Sequence, residues 1–136
     1  FFNSYQYFAM SVYLNNINME GFSKYMKHKA SIEIDYAQKM CDYLILRNEK
    51  TFFQKISQPN YNWVNVSNIF LTVLSIEQTS FNDLKNIYNI ALKINDVAAL
   101  HCISELINRK NKDVETAKKF ILKFSKSDTV KMLAVF

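Results

Sequence analysis

Glycine and proline are almost absent from this 136-residue chain, which contains only Gly21 and Pro59. Average proteins use roughly 7% Gly and 5% Pro, and tight β-hairpin turns depend on these residues. The scarcity therefore argues against β-sandwiches and β-barrels. Phosphate loops and dinucleotide-binding turns need two or three glycines within a few residues, so both kinds of nucleotide site are excluded.

Apolar residues recur at intervals of three and four along most of the chain, and this spacing predicts amphipathic helices. Polar stretches divide the pattern into four long segments and a short apolar tail at residues 130–136. Asn95 and Asp96 supply a turn and a helix N-cap before the last segment. We predict helices from Phe1 to about Ile17, from about Glu20 to Arg47, from near Val64 to Ala91, and from Asp96 to about Phe124.

The lengths of the links between these segments predict how the helices are arranged. Short links, as between the first and second and between the third and fourth segments, force antiparallel neighbours. The link from about Asn48 to Trp63 can reach about 50 Å when extended, whereas a helix as long as the second measures about 42 Å. We therefore predict an all-α four-helix bundle, a single domain over residues 1–136, in which one long crossover joins two antiparallel hairpins.

Several polar residues interrupt the predicted apolar stripes near the middle of the helices. Charged groups are seldom buried unless they are paired or bound to metal, because an unpaired ion in a core costs several kcal/mol. We therefore expect one shared polar layer, the arrangement in which some bundles hold two irons between carboxylates and His. The residues are Glu33 and Tyr36 on the second helix, Glu77 on the third, Lys110 and Asp113 on the fourth, and Tyr7 on the first.

A purely structural interpretation of the same residues is also open. The tyrosines can be core aromatics that make one hydrogen bond each. The carboxylates can be satisfied by nearby cations, for which the candidates are Lys29, Arg109 and Lys110. The two cysteines, Cys41 and Cys102, lie far apart with no metal-binding spacing, which argues against a zinc site and a cysteine-dependent enzyme.

The chain resembles ferritins, most closely the bacterial non-haem type. The matching stretches follow one another in order along nearly the whole chain, and they are residues 7–11, 18–22, 29–33, 37–44, 58–59, 76–78 and 93–96. This resemblance implies an iron-storing subunit of a 24-subunit cage, either a homo-oligomer or co-assembled with a catalytic subunit. It also implies a short fifth helix, whose start would be the tail from Val130 to Phe136.

The resemblance further implies a ferroxidase centre that is only partly kept. Glu33 and Glu77 match the carboxylates of the second and third helices, but Tyr36 replaces a His and Lys110 replaces a Gln. A first-helix Glu would fall immediately before Phe1. At about 4 Å and an effective dielectric near 20, two unit charges interact by about 4 kcal/mol, so Lys110 opposes Fe(II). Asp113 matches a further acid, and the accessory acids of a third iron site fall on Ile32, Arg109 and Lys112.

We therefore predict an iron-storage cage subunit with impaired or absent ferroxidase activity. Iron is the expected metal, held weakly if at all, and the candidate ligands are Glu33, Glu77, Asp113 and, through its phenolate, Tyr36. The alternative is a non-catalytic helical bundle that has lost iron chemistry and serves as a structural or binding module.

The net charge of +5 is compatible with an anionic partner but does not require one. The basic run from Arg109 to Lys126 has little aromatic interleaving, so we expect a solvated helix face rather than a nucleic-acid site. No apolar run reaches the roughly 18 residues of a bilayer span. We expect a cytoplasmic protein; because the sequence opens on Phe1, we also expect preceding residues, with a signal peptide left open.

Overall fold

The computed structural model describes residues 1–126, with side chains up to residue 124. Within that range the chain forms four helices and no strand. None of these helices combines the length and the apolarity that a bilayer span requires. The predicted fifth helix falls on residues outside the described range. The helices are α1 (Phe2–Asn16), α2 (Glu20–Leu46), α3 (Val66–Lys93) and α4 (Val97–Lys126).

Asparagine, rather than glycine, closes the first three helices. Asn18, Asn48 and Asn95 have φ angles of 63°, 58° and 60°, and no glycine has a positive φ. At each site two backbone hydrogen bonds cap the helix end; after α3, the Asn95 N–H donates to Leu92 O (3.2 Å) and the Asp96 N–H to Ala91 O (2.9 Å). This is the Schellman arrangement, in which Asn tolerates the left-handed backbone that most residues avoid. A chain with one glycine thus still turns sharply.

Side-chain caps fix where α3 and α4 begin. The Asp96 carboxylate accepts a hydrogen bond from the Ala99 N–H (3.1 Å), which confirms the predicted N-cap. The Asn65 side chain accepts one from the Asn68 N–H (2.9 Å). Because Asn65 is the cap, α3 begins at Val66. The sequence pattern predicts a start near Val64, two residues earlier.

The hairpin of α1 and α2 has a closely packed apolar seam. Tyr7, Met10 and Leu14 from α1, with Phe22 and Met26 from α2, are completely buried. Two hydroxyls link the helices across this seam: Ser4 Oγ donates to Ala30 O (2.9 Å) and Ser23 Oγ to Ser11 O (2.7 Å). These bonds satisfy hydroxyls next to the seam and set the register of the two helices.

The predicted stripes extend further than the buried seam. Met40 and Ile17 are 41% and 39% exposed and lie outside the buried seam. Ile17 is the C-cap of α1 and has already left the helix.

The crossover, residues 47–65, is fixed to α1 by a side-chain amide. Gln6 is buried; its Nε2 donates to Asn60 O (2.7 Å) and its Oε1 accepts from Asn60 N–H (3.0 Å). Further along, the Tyr13 hydroxyl donates to Trp63 O (3.1 Å), and the two rings meet edge to face at 5.3 Å. A long segment without regular structure is thereby held at two points.

The hairpin of α3 and α4 has its own aromatic cluster. The Phe70 ring lies 5.2 Å from the ring of Phe120 and 5.0 Å from that of Phe124, measured between centroids. Ile69 and Val73 are buried beside Phe70 on α3. Backbone contacts divide the described chain into two compact units, residues 1–64 and the remainder from Asn65 on. The assignment of residues 1–136 to one domain stays a prediction.

Candidate functional site

A buried ion pair stands at the middle of the second hairpin. Lys110 Nζ lies 3.1 Å from Glu77 Oε2, and the side chains are 5% and 0% exposed. Glu77 is near the centre of α3 and Lys110 near the centre of α4, where the antiparallel packing brings the two apolar stripes together. Removing two charges from water is costly, and close pairing offsets part of that cost. The structure thus brings together two of the predicted polar residues.

Asp113 is three residues after Lys110 and therefore lies on the same side of α4. Its side chain is half-buried, unlike that of Lys110. Arg109, the residue before Lys110, is exposed. Near the middle of the second hairpin, the carboxylate of Glu77 is therefore fully buried and that of Asp113 is half-buried.

The first hairpin holds a buried cation beside tyrosine rings. Lys29 Nζ lies 5.0 Å from the centroid of the Tyr7 ring and 5.9 Å from that of Tyr25. Lys29 and Glu33 are both buried and are four residues apart on one face of α2. An ammonium over an aromatic face is stabilised by the ring quadrupole, and more so where water is excluded. Tyr36, one turn after Glu33, is half-buried.

Lys29 is the residue that sequence reasoning left out of the candidate layer. The sequence pattern indicates Lys29 only as a possible partner for a carboxylate. Its position on the α2 stripe, between Met26 and Glu33, was the available signal. Each hairpin therefore carries a buried lysine together with a buried glutamate.

Both hairpins contain side chains of the types that bind metal ions. Dinuclear sites in bundles use several carboxylates with His, but the part of the chain that the structure describes contains no group of three or more His, Cys, Asp or Glu side chains placed to hold a metal. His28 and His101 are exposed, and Cys41 and Cys102 are free thiols. An ammonium instead lies next to the Glu77 carboxylate. A common layer formed by all six predicted residues stays a prediction.

The architecture is that of the ferritin-like four-helix bundles, with two antiparallel hairpins and a long crossover. A solved open-pore ferritin from Archaeoglobus fulgidus superposes with a TM-score of 0.93 at 20% identity, covering 99% of this chain and 83% of its own. A humanised archaeal ferritin gives the same TM-score at 22% identity, covering 99% and 82%. Likeness at this level of identity concerns the fold.

The chain belongs to the ferritin family, since the Ferritin-like domain model matches residues 1–127. Among curated relatives, the ferritin lower subunit of Aquarana catesbeiana is 24% identical over 99 residues, or 71% of this chain and 57% of that protein. The bacterial non-heme ferritin of Staphylococcus aureus is 24% identical over 110 residues, or 81% and 66%. The chain thus spans less than two thirds of the length of these relatives.

Proposed function

We propose that this chain is a subunit of an iron-storage cage whose ferroxidase activity is impaired or absent. Membership of the ferritin family supports the storage role. The proposed loss of catalysis rests on one observation, the buried contact of 3.1 Å between Lys110 and Glu77.

The chemical reason is competition for one carboxylate. Fe(II) and a lysine ammonium both need carboxylate oxygens, and an ammonium at hydrogen-bond distance occupies the position that a cation would take. Two unit positive charges about 4 Å apart repel each other by about 4 kcal/mol at an effective dielectric near 20. Lys110 therefore opposes iron at Glu77 both by contact and by charge.

The replacement of the expected His by Tyr36 acts in the same direction. A neutral imidazole is a good ligand for iron, whereas a protonated phenol is a poor one. Once deprotonated, the phenolate is a hard anionic donor suited to Fe(III). The residues we propose for any residual iron binding are Glu33, Glu77, Asp113 and Tyr36, with iron as cargo and not as a resident cofactor.

A storage role also requires assembly. We propose a homo-oligomeric cage, or co-assembly with a catalytic ferritin subunit that oxidises the iron which this chain helps to enclose. In either case the assembled cage takes up and releases iron, and this chain forms part of the cage wall and of its storage surface.

The test is anaerobic addition of Fe(II) followed by oxygen, with the ferric absorbance recorded over time. We expect slow oxidation by the wild type and faster oxidation by the double variant Lys110→Gln/Tyr36→His. The matched control is Lys118→Gln/Tyr43→His, which makes the same changes at an exposed lysine of α4 and a half-buried tyrosine of α2.

Two results would contradict the proposal. Fast oxidation by the wild type that Glu77→Ala abolishes would show a working ferroxidase centre. Failure of the assembled protein to retain a ferric core after loading would argue against storage itself and favour the alternative of a structural module without iron chemistry.

A further inference from the structure

The ammonium group of Lys29 is held inside the first hairpin. A lysine on a helix usually extends its stem so that its charge reaches water. Lys29 is instead only 6% exposed, and its Nζ lies over the rings of Tyr7 on α1 and Tyr25 on α2, at 5.0 and 5.9 Å from their centroids. The two rings therefore hold a positive charge at a defined place in this hairpin.

The same hairpin buries a carboxylate close to that charge. Glu33 is 9% exposed and follows Lys29 by four residues, so the two side chains are neighbours on one face of α2. A carboxylate that leaves water without a compensating charge is costly, and a nearby ammonium lowers that cost. Lys29 thus supplies a positive charge for Glu33 from within the chain.

The second hairpin has the same combination of residue types. There Lys110 contacts Glu77 at 3.1 Å, and both side chains are buried. In each hairpin a lysine therefore lies near a glutamate that is a candidate metal ligand. Lys110 opposes a metal ion by direct contact with the carboxylate, whereas the ammonium of Lys29 can oppose one at Glu33 by its charge alone.

We propose that Lys29 is a specificity-determining residue that excludes metal ions from the Glu33 carboxylate. Like charges repel more strongly where water is scarce, so a cation that approaches Glu33 meets the repulsion of a fixed ammonium. The inference rests on the proposed function in treating Glu33 as a candidate iron ligand. It goes further because replacement of Lys110 and Tyr36 would leave this second opposing charge in place.

Terbium(III) is a suitable probe for this effect. Like Ca²⁺ it is a hard cation that binds oxygen ligands, and its luminescence is excited by energy transfer from nearby aromatic rings. The Tyr7 and Tyr25 rings beside Lys29 would therefore report an ion bound at Glu33. The measurement needs neither oxygen nor iron, so it does not depend on ferroxidase activity.

The experiment titrates the full, iron-free protein with terbium(III) and records the emission excited through the aromatic rings. Lys29→Gln removes the charge, and Lys29→Met removes it while keeping an apolar stem beside the rings. Lys29→Arg keeps the charge. The matched control is Lys27→Gln, which removes an exposed lysine from the same helix, and circular dichroism checks that each variant keeps its helices.

We expect Lys29→Gln and Lys29→Met to bind terbium at least about 10-fold more tightly than the wild type, because a fixed like charge has been removed. Lys29→Arg should stay within about twofold of the wild type because it keeps the cation. Lys27→Gln should do the same, since solvent screens an exposed charge. Adding Glu33→Gln to Lys29→Gln should return the affinity to that of the wild type.

Four results would overturn the proposal. They are no gain in Lys29→Gln and Lys29→Met, an equal gain in Lys29→Arg or in Lys27→Gln, a gain that persists after Glu33→Gln, and loss of the helices in both uncharged variants, which would show a structural role instead. A chain that stores no iron would contradict the proposed function but leave the terbium result unchanged. The two proposals therefore fail separately.

Discussion

Glu77 and Lys110 show how a charged pair is tolerated inside a helical hairpin. Both side chains are almost inaccessible to water, and their 3.1 Å contact partly offsets the loss of hydration. A buried pair of this kind adds little stability compared with apolar residues of similar size. Replacing only one of the two residues is costly, however, because the charge of the other residue stays buried.

We therefore expect Lys110→Met to lower the free energy of unfolding by about 3 to 5 kcal/mol, whereas the double variant Glu77→Gln/Lys110→Met loses clearly less. Urea denaturation measures both values, and the single variant Glu77→Gln completes the double-mutant cycle that gives the coupling energy of the pair. Lys118→Met is the control, since its ion pair with Glu115 is about half exposed and should contribute under about 1 kcal/mol. Equal losses in the single and double variants would contradict the coupling.

A second energetic cost arises at Asn95, whose backbone is in the left-handed conformation. Its φ of 60° is unfavourable for residues with a Cβ, least so for Asn and Asp. We expect Asn95→Ala to lower the thermal stability by about 1 kcal/mol, and Asn95→Gly to leave it unchanged or raise it. Differential scanning calorimetry measures both.

The control for these variants is Asn86→Ala, at an exposed position inside α3, where alanine is the better helix former and stability should rise slightly. If Asn95→Gly proved as destabilising as Asn95→Ala, the side chain of Asn95 and not its backbone conformation would be the important feature.

At the scale of elements, the Gln6 contacts decide how firmly the crossover is held. The Gln6 amide exchanges two hydrogen bonds with the backbone of Asn60, and each is worth about 0.5 to 1.5 kcal/mol. Gln6→Met removes both while keeping the volume, so we expect trypsin to cleave after Lys50 and Lys55 at least about fivefold faster under native conditions.

Gln38→Met provides the comparison, because Gln38 is an exposed glutamine of α2 and its replacement should leave the cleavage rate unchanged. Initial cleavage within α1 or α2 in the Gln6 variant would contradict the idea that this side chain acts on the crossover alone.

Helix periodicity predicts the four helices to within about two residues at most ends, because the apolar stripes and the Asn-rich turns are local signals. Both Glu77 and Lys110 interrupt stripes at mid-helix, so the sequence predicts buried polar residues at these positions. It does not predict which cation pairs with Glu77, because Lys29 and Arg109 are also candidates. Contacts such as that of Gln6 with Asn60 are 54 residues apart and leave no trace in local sequence.

For the whole molecule, the prediction concerns size. A cage subunit should elute as one large species whose mass by light scattering is many times that of the single chain, and small-angle scattering should give the profile of a hollow shell. A monomer or dimer at micromolar concentration would count against the cage, whatever the outcome of the iron experiments.

The two hairpin turns closed by Asn18 and Asn95 limit where this chain tolerates insertions. In α1–α2 and α3–α4 the closing hydrogen bonds fix the rotational phase of the second helix relative to the first. One inserted residue would rotate α2 by about 100° and swing Lys29 and Glu33 out of their buried sector. Insertions and deletions should therefore accumulate in the crossover, residues 47–65, where an extra residue lengthens the segment without rotating a helix.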